Sequence, residues 1–301
     1  MRFSIYQDSL LGSRKSNQDR MGYSFTRDTL LMIVADGMGG HLRGEVAAQI
    51  TLKTVAAAFQ IAARPSLADP AGFLDMSLRR AHREILRFQE LHHLPESPRT
   101  TVVACVIQHG FAWWAHAGDS RLYWVRDGEC VMRTEDHSKV QSLVNMGLIT
   151  KAEQENHPER NKVLNCLGSP FDPMVELSGA HELERGDRML LCSDGVWSAM
   201  SDPEVCRAIS AAPLVTSVPA LVQEAVSTEG PSADNATAVA VHWEGDDDES
   251  DLSSLLVPDG AVTTTIAVGL DDVDDKVEIT EDEIEQTIRE IREAIEKTGG
   301  Q

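Results

Sequence analysis

The sequence predicts an α+β fold in which packed antiparallel sheets are covered by helices, followed by an acidic tail that ends in an amphipathic helix. Three observations carry this. Short segments rich in Val, Ile, Trp or Tyr are bounded by Gly, Asp or Asn. They are interleaved with long stretches whose apolar residues recur at helical spacing. After Trp243 the composition turns abruptly acidic.

Strands are expected at residues 2–9, 29–36, 101–108, 111–119, 121–128, 188–194 and 235–243, with a further strand-like segment just after Asp19. The region from Thr100 to Gly128 reads as consecutive antiparallel strands with turns at His109-Gly110 and Gly118-Asp119. Helices are expected from Gly44 to about Ala63, from Asp69 to Leu91, and from "SDPEV", where Ser201 or Asp202 caps and Pro203 occupies the first turn. The polar segment from Glu135 to Pro170 reads as two short helices and a loop, either a flap over a site or a plain surface connection. In the tail, "AVTTTIAV" reads as one strand. The segment 280–300 reads as a helix, with Thr280 and Glu283 as a capping box and Gly299-Gly300 as its end. Ile284, Ile288, Ile291 and Ile295 form a stripe that either docks on the body in cis or mediates self-association. "DDVDDKVEITEDE" is not a calcium loop, because Val277 replaces the required Gly and Lys276 an oxygen ligand.

Composition narrows the function classes. Hydrophobic content of 42% and charged content of 25% are those of an ordinary soluble domain. The net charge is −21, of which residues 244–301 hold −15, with 19 acidic and 4 basic residues. No basic patch exists, which argues against nucleic acid and against anionic membrane surfaces as partners. Five cysteines without a CxxC pair, mostly inside apolar runs, read as reduced thiols and not as a zinc site. No signal-peptide core and no apolar run near ~18 residues are visible, so a cytoplasmic location is expected.

The candidate chemistry lies in acids at strand ends. An Asp-Gly pair is by default a hairpin corner. That default fails at Asp36-Gly37 and at Asp194-Gly195, after which the chain heads toward helix. Asp234 opens an alternating strand, Asp119 lies at a strand corner, and Asp19 precedes a strand-like segment. In an antiparallel arrangement such ends share one rim. Several ionised carboxylates gathered there repel one another, and a hard divalent cation relieves the repulsion. An all-oxygen set suits Mg²⁺ or Mn²⁺ better than zinc. For any single Asp a turn or cap remains the plainer reading; the joint pattern favours a metal site.

Taken together, "GSRKSNQDR", "VADGMGGHLRGEVAA", "TTVVACVI", "AHAGDSRLYWVRDGE", "EDHSKVQSLVNMGLIT", "HPERNKVLNCLG", "LLCSDGVWSAMSD" and "DNATAVAV" resemble the bacterial metal-dependent serine/threonine protein phosphatases of type 2C. The resemblance runs in order from about residue 4 to residue 243. It implies an αββα sandwich, two packed antiparallel sheets flanked by helices, in residues 1–244, with residues 245–301 as the linker, strand and helix of the tail. It also implies hydrolysis of phosphoserine and phosphothreonine by a metal-activated water at a centre of two Mn²⁺ or Mg²⁺ ions, with a third, weaker ion.

Carried over residue by residue, Asp36 is the acid bridging the two ions, the Gly37 carbonyl is the next ligand, and Asp194 and Asp234 hold the first ion. Asp119 matches a ligand of the third ion, Asp19 a direct or water-mediated ligand, and Arg14 the residue that receives the substrate phosphate. The implied partners are phosphoproteins and an opposing serine/threonine kinase. Two positions depart from the pattern. Gln18 stands where many members have Glu, and Met38 stands where some have a His that donates a proton. His41 is three residues further on and reads as structural or exposed. Two other readings are weaker. "DGMGGHLRG" as a nucleotide cradle lacks both the Lys-Ser/Thr ending of a P-loop and the GxGxxG spacing. A catalytically dead copy gives no reason to keep Arg14 and the four acids at 36, 119, 194 and 234.

Overall fold

The computed structural model describes residues 1–38, 43–155, 157–246 and 263–267. Two antiparallel sheets pack face to face. The first has the order β1-β11-β10-β6-β7, built from β1 (Arg2–Leu10), β11 (Ala236–Gly245), β10 (Arg188–Cys192), β6 (Arg121–Arg126) and β7 (Glu129–Arg133). The second has the order β12-β2-β3-β4-β5-β8, from β12 (Thr263–Ala267), β2 (Asp19–Phe25), β3 (Thr29–Asp36), β4 (Val102–Gln108), β5 (Phe111–Ala117) and β8 (Glu176–Leu177). The two-residue strand β9 (His181–Glu182) also pairs with β5.

Three apolar layers hold the sheets and helices together. The sequence of β3 is almost continuously apolar because both of its faces are covered. Leu31 and Ile33 point to α1 (Gly44–Ala62) and α2 (Pro70–Leu91), while Leu30, Met32 and Val34 point to the other sheet. β4 divides the same way, Val102, Ala104 and Val106 outward and Val103, Cys105 and Ile107 inward. In β11, Val239, Val241 and Trp243 fill the space between the sheets, whereas Ala236, Ala238 and Ala240 face α5 (Asp194–Trp197), α6 (Asp202–Ser210) and α7 (Leu214–Glu229). Small residues on that face let the helices approach closely. α2 begins where Asp69 accepts the Gly72 N–H at 3.0 Å, and α6 begins with a capping box between Ser201 and Glu204.

Most expected elements form within two residues of their expected ends. β11 runs to Gly245, and the strand expected in "AVTTTIAV" falls at Thr263–Ala267, paired with β2. The two short helices expected between Glu135 and Pro170 form as α3 (Lys139–Asn145) and α4 (Lys151–Glu155). α7 was not anticipated, because Pro219 inside it mimics a helix stop. One expectation fails outright. β5 and β6 are not paired, because the turn at Gly118-Asp119 carries the chain from one sheet to the other. Asp119 therefore sits where the sheets meet. Four of the five cysteines are buried and Cys130 is exposed; all are free. The tail helix with its Ile stripe, its capping box and the "EGDDDESD" run beyond Asp246 lie outside the described residues, as does His41. No helix among the described residues is long and apolar enough to cross a membrane.

Candidate metal centre

The acids singled out from the sequence converge on one end of the sandwich. Asp19 and Asp36 are direct partners in the β2–β3 pairing, so two carboxylates stand opposite each other at the end of one hairpin. Like charges placed so repel. Asp194 starts α5 immediately after β10, Asp119 occupies the crossing between the sheets, and Asp234 lies two residues before β11. Asp36 is within hydrogen-bonding reach of both Asp19 and Asp194.

Burial and mutual repulsion set the protonation of this group. Burial, then the charges of Asp19, Asp194, Asp119 and Asp234, hold Asp36 well above the usual carboxylate range. Asp194 is raised in the same way, by burial and then by Asp119, Asp234 and Asp19. Burial pushes Asp119 up to about 7, with Asp136 adding to the rise and Arg121 opposing it. Asp19 is pushed up to about 6, chiefly by burial, against hydrogen bonds from Thr237 and Ser193. Among the described residues only Asp234 of the five has an ion-pair partner, Arg14, at 2.5 Å.

The donor set fits a hard divalent cation. All the ligand atoms are oxygens, and Asp19 Oδ1 is buried without any hydrogen-bond partner. The other oxygen, Oδ2, accepts from the Ser193 hydroxyl at 2.7 Å. One oxygen is thus tied to the protein and the other is left for a cation.

Several polar residues that the sequence reading did not single out hold this arrangement. Asn235 accepts the Gln18 N–H at 2.8 Å and donates to the carbonyls of Leu11 and Ser16, pinning the segment that carries Arg14. Thr101 N–H and the Thr100 hydroxyl both donate to the Asp36 carbonyl, at 2.9 and 2.8 Å. Trp197 Nε1 donates to the Asp119 carbonyl at 2.9 Å, and the Arg121 guanidinium lies 3.7 Å over the Trp197 ring. Gln18, one of the two departures, donates to Glu45 in the first turn of α1 at 3.0 Å; a Glu there would face a like charge. Gly37 has no room for a side chain, since a Cβ would lie 2.4 Å from the Gly44 carbonyl, so the turn after Asp36 packs directly on the start of α1.

A second group, His116, His137 and Glu176, has candidate ligand atoms within 4.8 Å of one another. Its hydrogen bonds argue for a different role. His137 Nδ1 accepts from Gly118 N–H and from Asn165 Nδ2, whose orientation is fixed by a two-way pairing with the Met174 backbone. The ring proton therefore sits on Nε2, which donates to Glu176 at 3.1 Å. That nitrogen has no free lone pair for a metal.

Comparisons with known proteins agree with the geometry. The family described as "Protein phosphatase 2C" matches residues 7–231. The serine/threonine protein phosphatase PstP of Mycobacterium tuberculosis is 34% identical over 227 residues, 75% of this chain and 42% of that protein, so the chain spans less than half of this relative's length. Protein phosphatase PhpP of Streptococcus pneumoniae is 30% identical over 243 residues, 78% of this chain and 95% of that protein. A crystal structure of the PstP catalytic domain with two manganese ions superposes with a TM-score of 0.65 at 31% identity, covering 80% of this chain and 97% of that one. With two packed antiparallel sheets, an acid cluster at their end and a match across three quarters of its length, the chain belongs to the protein phosphatase 2C family.

Proposed function

We propose that this protein hydrolyses phosphoserine and phosphothreonine in proteins with the help of bound Mn²⁺ or Mg²⁺. The observation that carries the reading is the cluster of Asp19 and Asp119, buried, with Asp36 and Asp194, half-buried: the four repel one another, none pairs with a Lys or Arg among the described residues, and Asp19 Oδ1 is unpartnered. Asp36 would bridge two core ions, with Asp194, Asp234 and the Gly37 carbonyl completing the set and Asp19 supporting it directly or through water. Asp119 would hold a third, weaker ion. When bound, the ions supply an activated water and offset charge on the phosphoryl oxygens.

The chain's own residues do the rest. Arg14, which pairs with Asp234 at the edge of the cluster, would receive the substrate phosphate, and its planar fork suits two phosphoryl oxygens. Asn235 keeps Arg14's segment against the cluster. Met38 lacks a titratable proton, so the leaving oxygen takes its proton from solvent or from another group.

The catalytic unit would be residues 1–244, in the cytoplasm, opposing a serine/threonine kinase, with the tail helix docking in cis or joining two copies. The test is release of phosphate from a phosphoserine peptide with added Mn²⁺ or Mg²⁺, alongside calorimetric titration of the metal. Activity should vanish with excess chelator; activity that persists there would refute the reading.

A further inference from the structure

Beside the acid cluster lies a groove of about 840 Å³ that the hydrolytic reaction itself does not use. It starts at Met38 and Arg99 and runs between α3 and the loop of residues 163–176. Met38 is two residues from Asp36, and its N–H donates to the Arg99 carbonyl at 3.0 Å, so the groove opens directly from the metal cleft. Its walls carry large apolar side chains that are unusually open to solvent. Phe171 is 78% exposed and Met146 69%, and Leu164 and Met174 are also exposed. Apolar exposure of this kind marks an interaction surface.

The charges of the groove restrict what it can hold. Glu135, Asp172 and Glu176 line it, all exposed, and among the described residues none pairs with a Lys or Arg. Glu176 is held in place by His137. Among the described residues the one guanidinium lining the groove, Arg99, sits at the metal end. The occupant is therefore not the chain's own tail, whose residues 244–301 share the sign of the groove with a net charge of −15.

We infer that this groove binds the segment of the phosphoprotein next to its phosphoresidue, and that it selects segments with a large apolar side chain and a Lys or Arg. The inference rests on the phosphatase reading and names its substrate class. The apolar side chain seats among Phe171, Met174, Leu164 and Met146. The cation meets Asp172, Glu135 or Glu176.

The test compares three phosphoserine peptides on the full-length protein: one with Leu and Arg flanks, one with Leu and Glu, one with Ser and Arg. p-Nitrophenyl phosphate, which is too small to reach the groove, reports the chemistry alone. Anisotropy of fluorescein-labelled dephospho peptides reads the groove without chemistry or metal. The Leu/Arg peptide should exceed both others by about tenfold in kcat/KM, through KM, and should bind most tightly in anisotropy. Phe171→Ser with Met174→Ser should remove the Leu preference, and Glu135→Lys with Asp172→Lys should reverse the Arg-over-Glu preference, each leaving p-nitrophenyl phosphate hydrolysis unchanged. Equal hydrolysis and binding of all three peptides would overturn the inference, as would tighter binding of a synthetic peptide of residues 280–297. Parallel loss on the peptides and on p-nitrophenyl phosphate in the variants would also overturn it. A wild-type protein that binds the Leu/Arg peptide selectively but never hydrolyses p-nitrophenyl phosphate with Mn²⁺ would refute the phosphatase reading and leave the groove assignment standing.

Discussion

Two acidic clusters lie side by side in this molecule and are handled in opposite ways. Asp136, almost fully buried, receives a two-pronged bond from Arg121 at 2.8 and 2.8 Å and a further contact from Arg133 at 3.4 Å. Asp202 joins the network through Arg121, Arg133 and the Tyr123 hydroxyl. Two residues before Arg121, Asp119 begins the other cluster, in which Asp19, Asp36 and Asp194 have no guanidinium partner among the described residues. The protein thus supplies its own cations to Asp136 and Asp202, and leaves Asp19, Asp36 and Asp194 without one among the described residues, where the proposed function has a cation arrive from solution. Burying a charge without a partner is costly, so the second cluster stores a demand that a divalent ion would meet.

The sharpest way to break this contrast is to delete one acid from each cluster. Asp194→Ala should lower kcat/KM by at least about 10³-fold while leaving the metal-free protein as stable as before, or more so, because a repulsion is removed. Asp136→Asn should do the reverse. It strands Arg121 in the interior and should cost about 3–5 kcal/mol in urea unfolding. If both substitutions destabilise the metal-free protein equally, the two clusters are not different in kind.

Next in size is the response to pH. Asp119 at about 7 and Asp19 at about 6 hold protons in the folded protein that the unfolded chain, near 3.8, has already released. A raised carboxylate pKa means the folded state binds more protons, so metal-free stability should rise as pH falls from above 7 toward 4 and level off below that. The gain is on the order of a few kcal/mol over the window. Saturating Mn²⁺ should cancel it, because the cation replaces the protons. Denaturant melts at pH 8, 6 and 4.5, with and without Mn²⁺, measure the effect; a metal-free protein that is most stable at pH 8 would contradict it.

Much of this was legible in the sequence, for identifiable reasons. β3 and β4 declare themselves because both faces of each are covered, which leaves unbroken apolar runs. The acids at strand ends declare themselves because Asp36-Gly37 and Asp194-Gly195 break the hairpin habit. The sheet change at Gly118 was not legible, since a tight turn has the same residues whether the next strand pairs back or crosses over. Nor were Ser193, Asn235 and the Gln18–Glu45 bond, which act on segments 27 to 224 residues away. No local periodicity encodes such contacts. The groove is of the same kind, assembled from Met38, α3 and a loop near residue 171.

Ser193 gives the finest test of how the unpaired cluster would be prepared for the proposed cation. Its hydroxyl donates to Asp19 Oδ2 and accepts the Thr237 N–H at 3.1 Å, so its single proton is committed to the carboxylate. That commitment helps keep Asp19 ionised and turns Oδ1, which has no partner, into the oxygen available for a metal. Ser193→Ala removes the orientation without removing a ligand. Mn²⁺ affinity measured by calorimetry should fall about 10- to 100-fold, the usual effect of losing such a supporting bond. Ser193→Thr, which keeps the hydroxyl, should recover most of it. Unchanged Mn²⁺ affinity in Ser193→Ala would mean that the hairpin pairing of Asp19 with Asp36 alone fixes the carboxylate. The contrast between the two clusters would then lie only in which acids have arginines, and not in how their free oxygens are aimed.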